Sequence, residues 1–277
     1  MREQAKLRYL EKLLRSMGFA LVAFSGGVDS ALLLTVASKA LANQVLAVTI
    51  KSPLVPESDL LDARCTASLL DVDHLIVSVD ELQIPGFTEN RPDRCYLCKK
   101  HRFSLLVSIA KEKQIPQVIE GTNADDSSDF RPGLRAIKEF KEVRSPLREA
   151  GLSKEEIRLA AKRLGVPIWD KPSSGCLATR IPYGTSITLK KLRQIEKAEV
   201  VLRSCGIYKE CRVRYLEDHA CIEVSPEYLS RVITPSIRNR VLREFRSLGF
   251  HRVSLDLEGY RTGSLSQVND RYGSQFL

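Results

Sequence analysis

The chain has 277 residues, of which 43% are hydrophobic and 28% are charged. This composition is that of a globular protein and excludes a mainly disordered one. At about 150 residues per domain, the length favours two domains. No stretch approaches the roughly 18 consecutive apolar residues of a membrane span, and the N-terminus has no apolar signal core. We therefore expect a cytoplasmic protein that does not bind a membrane.

The net charge is +9, because 43 Lys and Arg residues face 34 Asp and Glu residues. Much of this excess lies in residues 177–277. Such a basic region suits a nucleic acid or a phosphorylated small molecule, and it is equally well explained as a solvated surface. No block of like charge is long enough for a nucleic-acid tail, so we expect no nucleic acid as partner.

The first two-thirds of the chain alternates apolar strands with helices. The pattern predicts strands over 19–24, 45–50, 75–79 and 117–121, and helices over 31–41, 57–70, 94–113 and 153–164. Strands that are apolar throughout are typical of a parallel sheet with helices on both faces. Ser153 and Glu156 have the spacing of a capping box, which indicates that the last of these helices begins there.

Residues 165–187 are rich in Pro, Gly and Ser and indicate a linker. We therefore predict an α/β domain over 1–170, a linker loop over 171–187 and a small α+β domain over 188–277. In the second domain the pattern predicts helices over 189–205 and 235–248. It predicts strands over 211–216, 220–224 and 252–257, which we expect to form an antiparallel sheet.

The clearest motif is Ser-Gly-Gly-Val-Asp-Ser over residues 25–30, directly after the first predicted strand and directly before a helix. Gly26 and Gly27 allow the backbone to approach an anion closely, and the N–H groups of a helix N-terminus stabilise phosphate. Ser25 and Ser30 add hydroxyl groups, and Asp29 is a candidate ligand for Mg²⁺. The motif differs from both the Walker A and the dinucleotide-binding patterns. The alternative is an ordinary strand-to-helix turn capped by Asp29.

The seven cysteines are an odd number in a chain without an export signal, so thiol or metal chemistry is favoured over disulfides. Cys176 lies in the Gly- and Pro-rich linker between Lys171 and Arg180, whose charges would favour a nucleophilic thiolate. The alternative is a buried loop thiol. Four further cysteines stand singly among apolar residues, and we expect them in the core: Cys65, Cys205, Cys211 and Cys221.

Cys95 and Cys98 form a C-x-x-C motif at the start of a predicted helix. With Cys176 as third ligand they could hold a [4Fe–4S] cluster with one open iron. Zinc is less suitable, because a structural zinc site needs four protein ligands and the sequence offers no second C-x-x-C or paired His. The alternative is two unrelated thiols one helical turn apart.

Arg212 and Arg214 alternate in a predicted strand, so both lie on one face and could grip a phosphate. Solvated strand residues would have the same spacing. Glu199 and Glu223 are weaker candidates from the same domain. One residue of the pair Asp125 and Asp126 could help to hold Mg²⁺ or position an adenylate, and a turn-forming role is equally consistent with the sequence.

Taken together, these motifs resemble the PP-loop ATP pyrophosphatases, and within them the ATP-dependent sulfur transferases of the LarE type. The resemblance spans roughly residues 15–260. It is carried by residues 25–30, by 94–99 around the C-x-x-C motif, by Glu-Gly-Thr-Asn-Ala-Asp-Asp over 120–126, by Arg-Pro-Gly over 131–133, by Ser-Pro-Leu over 145–147 and by 171–184 around Cys176.

The resemblance implies an enzyme that uses ATP and Mg²⁺ to adenylate a carboxylate and replaces AMP by sulfur. The substrate implied is a small nucleotide, pyridinium-3,5-biscarboxylic acid mononucleotide, in the biosynthesis of the nickel-pincer nucleotide cofactor. It also implies ATP binding by residues 25–30 with Gly121 and Asp125, substrate-phosphate binding by Arg212 and Arg214, and assembly into a homo-oligomer. In the simplest members the cysteine that matches Cys176 gives up its own sulfur and becomes dehydroalanine. A subset with three cysteines points instead to cluster-bound sulfide.

Three other functions are compatible with parts of the pattern. A tRNA thiolase also combines a PP-loop with a C-x-x-C motif and a distant cysteine, but the small second domain lacks an aromatic RNA platform. Another adenylating synthetase, such as an amide-forming ligase, would not need Cys176. A nucleotide-binding sensor without catalysis would leave Cys95, Cys98 and Cys176 without a role.

Overall fold

The structure is a computed structural model that describes residues 2–42, 44–128 and 132–261. It divides into two compact units. The first comprises Met1–Ile84 and Pro92–Lys171, and the second comprises Pro85–Arg91 and the residues from Pro172 onward. The sequence did not assign residues 85–91 to the second unit. Arg131 of the family motif and residues 262–277 of the predicted second domain lie outside the described residues.

The first unit is built on a parallel sheet with the strand order β3-β2-β1-β4-β5. The strands are β1 (Ala20–Ala23), β2 (Val45–Lys51), β3 (Asp73–Ser78), β4 (Gln117–Ile119) and β5 (Val143–Arg144). The chain moves from β1 to β2 and β3 on one side, and then crosses to β4 on the other. In open parallel sheets, ligands bind at such a switch point, outside the carboxyl ends of the strands. This places the end of β1 at the centre of the candidate site.

Helices cover both faces of this sheet, which confirms the predicted α/β architecture. They are α1 (Arg2–Arg15), α2 (Val28–Leu41), α3 (Glu57–Leu69), α4 (Arg94–Glu112), α5 (Pro132–Ile137), α6 (Pro146–Glu149) and α7 (Lys154–Arg163). Leu10, Leu33 and Ile157 belong to the core on one face, and Phe103 and Val107 to the core on the other. The capping box of Ser153 and Glu156 is present at the start of α7, as the sequence predicted.

The second unit is a small α+β unit with a mixed sheet of strand order β6-β7-β8. Its elements are α8 (Leu189–Ser204), β6 (Cys211–Leu216), β7 (His219–Val224), α9 (Leu229–Val232), α10 (Pro235–Ser247) and β8 (Arg252–Leu255). The expectation of a fully antiparallel sheet was wrong. Strands β6 and β7 are antiparallel, but β7 and β8 are parallel, because the helical crossover through α9 and α10 returns the chain to the starting end of β7.

The four cysteines predicted in the core divide into two groups. Cys205 and Cys211 are buried as expected, and burial raises the pKa of Cys211 to about 12, which makes it an inert core thiol. Cys221 is only partly buried, and Cys65 is exposed on the outer face of α3, so the core prediction was wrong for Cys65. Across the described ranges, no helix is long and apolar enough to cross a membrane.

Candidate active site

The loop over residues 25–30 connects β1 to α2, at the carboxyl end of the central strand. Its two serines close it internally: their Oγ atoms lie 3.0 Å apart, and Ser30 Oγ donates to Gly27 O at 3.0 Å. No side chain in the described part of the chain caps the N-terminus of α2, where Gly27 is the N-cap residue. The first N–H groups of α2 are therefore oriented to bind an anion, together with the helix dipole.

Two glycines of the site are required by close packing. Gly26 has a φ of +73°, and a Cβ there would lie 2.3 Å from the backbone oxygen of Asp59. A Cβ on Gly121, after β4, would lie 3.1 Å from the backbone nitrogen of Ser30. The turn after β4 therefore packs directly on the loop after β1. Gly121, which the sequence assigned to ATP binding only by resemblance, lies against this loop.

Asp29 lies in the first turn of α2, and its carboxylate is held by a neighbouring amide. Asn123 is fully buried and donates from Nδ2 to Asp29 Oδ2 at 2.9 Å. The pKa of Asp29 is raised, mainly by burial and also by the nearby charge of Asp126, while the bond from Asn123 opposes this shift. A carboxylate held at a phosphate-binding loop is a donor that Mg²⁺ prefers, so the residues fit this ion.

The two neighbouring carboxylates after β4 have different surroundings. Asp125 accepts a hydrogen bond from the backbone nitrogen of Lys154 at 2.8 Å and so fastens the start of α7. Asp126 accepts from the backbone nitrogen of Asn123 at 3.2 Å, and its Oδ1 lies 3.2 Å from Lys154 Nζ. Asp126 also raises the pKa of Asp29 through its charge. Of the pair, Asp126 is therefore the residue whose charge acts on Asp29.

Cys95 and Cys98 are the second and fifth residues of α4, three positions apart, so their side chains share one side of the helix. Both are partly buried and neither forms a disulfide. Among residues 2–42, 44–128 and 132–261, no group of three or more His, Cys, Asp or Glu side chains is arranged to hold a metal ion. The described residues therefore give no support to the predicted [4Fe–4S] cluster.

Cys176 immediately precedes a short 3-10 helix, Leu177–Arg180, and is partly exposed. Its carbonyl accepts from Thr179 Oγ1 at 2.7 Å and from Arg180 Nη1 at 2.8 Å. Arg180 Nη1 also donates to Gly175 O at 3.0 Å, and Arg180 Nη2 donates to Ser174 O at 2.7 Å. One guanidinium group therefore fixes the backbone of the loop that carries Cys176.

Arg180 is itself fully buried and pairs with Glu199 on α8, at 2.9 and 3.2 Å. Burial alone would lower the pKa of Arg180, but the carboxylate of Glu199 and the nearby Cys176 outweigh it, and the pKa is raised. The same carboxylate accepts from the backbone nitrogen of Val213 at 3.2 Å, which connects the loop to β6. The sequence singled out Arg180 only as a flanking charge and missed this role.

Arg212 and Arg214 lie on the same face of β6, as strand alternation predicts, and both are buried. Arg214 donates two hydrogen bonds to Glu223 Oε2, at 2.9 and 2.7 Å, and one to Thr179 O at 2.9 Å. Arg212 donates to the backbone oxygen of Ser173. Burial and the charge of Arg180 lower the pKa of Arg212. Both arginines therefore face the loop that carries Cys176, and neither is a solvated surface residue.

Lys171 makes contacts that the sequence did not predict. It belongs to the first unit, where its Nζ lies 2.9 Å from Asp59 Oδ1 and 2.6 Å from Asp62 Oδ2. It also donates to the backbone oxygen of Gly26 at 3.0 Å. The ammonium charge is balanced by two carboxylates of α3, so Lys171 supports the loop after β1.

Comparisons with known proteins identify relatives of this chain. A sequence profile of the NAD synthase family matches residues 4–123. The chain is 39% identical over 265 residues to an uncharacterized protein of Synechocystis sp., covering 96% of this chain and 98% of that protein. It is 33% identical over 242 residues to an uncharacterized protein of Methanocaldococcus jannaschii, covering 87% of this chain and 90% of the relative.

The chain is also similar to a characterised enzyme. It is 36% identical over 248 residues to the pyridinium-3,5-bisthiocarboxylic acid mononucleotide synthase of Lactiplantibacillus plantarum, covering 89% of this chain and 88% of that enzyme. This level of identity over nearly the whole length of both chains exceeds what a shared fold alone would require. The chain therefore belongs to the LarE-type ATP-dependent sulfur transferases of the PP-loop ATP pyrophosphatase family.

Proposed function

We propose that this enzyme converts a carboxylate of pyridinium-3,5-biscarboxylic acid mononucleotide into a thiocarboxylate at the expense of ATP. The observation that carries the proposal is the 36% identity, over 89% of the chain, to a synthase whose name states the bisthiocarboxylic product. The two clusters of site residues support it, because one suits a polyphosphate and the other surrounds a cysteine with buried arginines.

In the first step, the loop over residues 25–30 binds the β and γ phosphates of ATP through the N–H groups at the start of α2. Asp29, held by Asn123 and accompanied by Asp126, would hold Mg²⁺, which supplies charge neutralisation on the phosphates. A carboxylate oxygen of the substrate forms a bond to the α phosphorus, and the bond to the β phosphate breaks. The products are an acyl adenylate and pyrophosphate.

In the second step, the Cys176 thiolate attacks the acyl carbon and displaces AMP, which gives a thioester. Loss of a proton from Cα and cleavage of the Cβ–S bond then release the thiocarboxylate and leave dehydroalanine. Arg180, close to Cys176, would favour the thiolate. Substrate-phosphate binding by Arg212 and Arg214 belongs to the proposal as well. A phosphate bound there must share or replace the acceptors that Arg214 now has in Glu223 and Thr179.

The experiment is incubation of the enzyme with Mg-ATP and the biscarboxylic nucleotide, followed by mass spectrometry of the small molecules and of the protein. Pyrophosphate, AMP and a thiocarboxylate are expected, with the protein lighter by one H₂S at Cys176. Formation of ADP and phosphate would contradict the adenylation step.

The same samples test the other sulfur source, sulfide on a cluster held by Cys95, Cys98 and Cys176. That hypothesis requires brown anaerobic protein that contains iron, with Cys176 unchanged after turnover. A Cys176→Ser variant serves as control, since both hypotheses require its loss of activity.

A further inference from the structure

Lys171 is the residue of this site for which neither adenylation nor sulfur transfer provides a role. Its side chain is only 16% exposed, and it joins three parts of the first unit: the loop after β1, the helix α3 and the end of the unit itself. Asp59 and Asp62 hold the ammonium group on the α3 side of the loop. The third partner is a backbone oxygen, that of Gly26, at 3.0 Å.

The peptide between Gly26 and Gly27 has no Cβ on either side, so no side chain of its own opposes its rotation. In a trans peptide, the carbonyl of Gly26 and the N–H of Gly27 point in opposite directions. While Lys171 holds the carbonyl of Gly26, the N–H of Gly27 donates a hydrogen bond to Ser25 Oγ at 3.4 Å. A flip of this peptide would break both contacts, and a carbonyl oxygen turned toward the phosphates would repel them.

We propose that Lys171 is a positioning residue for ATP: it holds the Gly26 carbonyl on the α3 side of the loop, so that this oxygen does not face the phosphates and the N–H groups at the start of α2 remain available to bind them. Asp59 and Asp62 neutralise the ammonium group, so that it stays on the α3 side of the loop when a triphosphate is bound on the other. The inference rests on the proposed ATP site, but it does not depend on which carboxylate is adenylated.

The test compares the variants Lys171→Met and Lys6→Met by calorimetric titration with Mg-ATP. Lys6 is a matched control, because it forms a partly buried ion pair with Glu156, at 2.6 Å, away from the loop. Loss of the Lys171 hydrogen bond is expected to raise the Kd for Mg-ATP about tenfold or more, as for other charge-assisted bonds. The control is expected to stay within about twofold of the wild type.

A second readout separates positioning from general destabilisation. In ¹⁵N NMR spectra without nucleotide, the Gly27 amide resonance should shift in Lys171→Met and stay unchanged in Lys6→Met. In pyrophosphate release, KM for ATP should rise more than kcat falls. A wild-type Kd, or a loss no larger than that of the control, would overturn the proposal.

If Lys171→Met does not fold, the same titration is made with Lys171→Gln. Its neutral amide loses the attraction of both carboxylates, so a Kd raised about threefold to tenfold is expected. A wild-type Kd in that variant would equally overturn the proposal. Normal ATP binding by the wild type without sulfur transfer would refute the proposed function and leave the role of Lys171 intact.

Discussion

Removal of the Arg180 guanidinium should cost much more stability than its position at the end of a short 3-10 helix would suggest. In Arg180→Met, the carboxylate of Glu199 remains buried, and its remaining hydrogen bonds to described residues are the long 3.4 Å contact to Arg203 and the bond from the Val213 nitrogen. Breaking a buried ion pair by removing one partner typically costs about 3–5 kcal/mol. The carbonyls of residues 174 and 175 also lose the bonds from Arg180, whereas that of Cys176 keeps the bond from Thr179 Oγ1. Movement of the loop can hydrate the two carbonyls, so their loss adds little to the cost.

This loss is a large share of the roughly 5–15 kcal/mol that stabilises a typical domain. The matched control is Arg203→Met, which removes a cation from the same carboxylate at a site that is 31% exposed. Partly exposed pairs are worth about 0–1 kcal/mol, so this variant should be nearly as stable as the wild type. Urea denaturation followed by circular dichroism measures both changes.

The double variant Arg180→Met with Glu199→Gln tests the reason for the loss. Because it leaves no uncompensated charge, it should be more stable than Arg180→Met alone. A loss below about 1 kcal/mol in Arg180→Met, or equal losses in Arg180→Met and Arg203→Met, would refute the reasoning. ATP binding by the first unit should persist in folded Arg180→Met, while thiocarboxylate formation should fall strongly because the Cys176 loop has lost its support.

Four further outcomes are expected. Asp29→Asn should abolish pyrophosphate release, because it removes the charge that would hold Mg²⁺; activity that persists in Mg²⁺ would contradict this role. Cys176→Ser should stop thiocarboxylate formation but still release pyrophosphate in a single-turnover assay. Arg214→Gln should weaken substrate binding by about 1.5–3 kcal/mol and leave ATP binding unchanged, as equilibrium titrations of each ligand would measure. Burial lowers the pKa of His74, so below about pH 6.5 the unfolded chain binds the proton more readily than the folded one. The free energy of unfolding of the wild type should therefore fall as the pH drops below this value. In His74→Gln, the free energy of unfolding should change less between about pH 7 and pH 5.

Much of the first unit could be predicted because its information is local. The run Ala20–Ala23, the glycines that follow it and the start of α2 lie within about ten residues. One short segment of sequence therefore predicts the strand, the loop and the helix N-terminus. The parallel sheet follows from apolar strands that need cover on both faces. The two-residue strand β5 was missed, since such a short strand has no periodicity to detect.

The charged groups of the second unit were harder to predict. Arg212 and Arg214 could be placed on one face of a strand by alternation, but that spacing does not reveal their partners. Ser173 and Thr179 are more than 30 residues away in sequence, and Glu223 lies on the next strand. Spacing alone describes a buried arginine and a solvated one in the same way. The mixed sheet was missed for a related reason, because the direction of β8 depends on the crossover and not on the strand itself.

Lys171 and Arg180 show why flanking charges are a poor guide to the environment of a thiol. Lys171 precedes Cys176 by five residues and Arg180 follows it by four, and the sequence assigned the same role to each. In the folded chain, the position of each cation is set by the carboxylates that pair with it. Asp59 and Asp62 hold Lys171 at the loop over residues 25–30. Glu199 holds Arg180 against the loop that carries Cys176. A cation on a buried side chain lies next to a carboxylate that pairs with it, because an unpaired charge is too costly to bury. The different positions of these two cations therefore follow from carboxylates on α3 and α8, which are more than 100 residues apart in the chain.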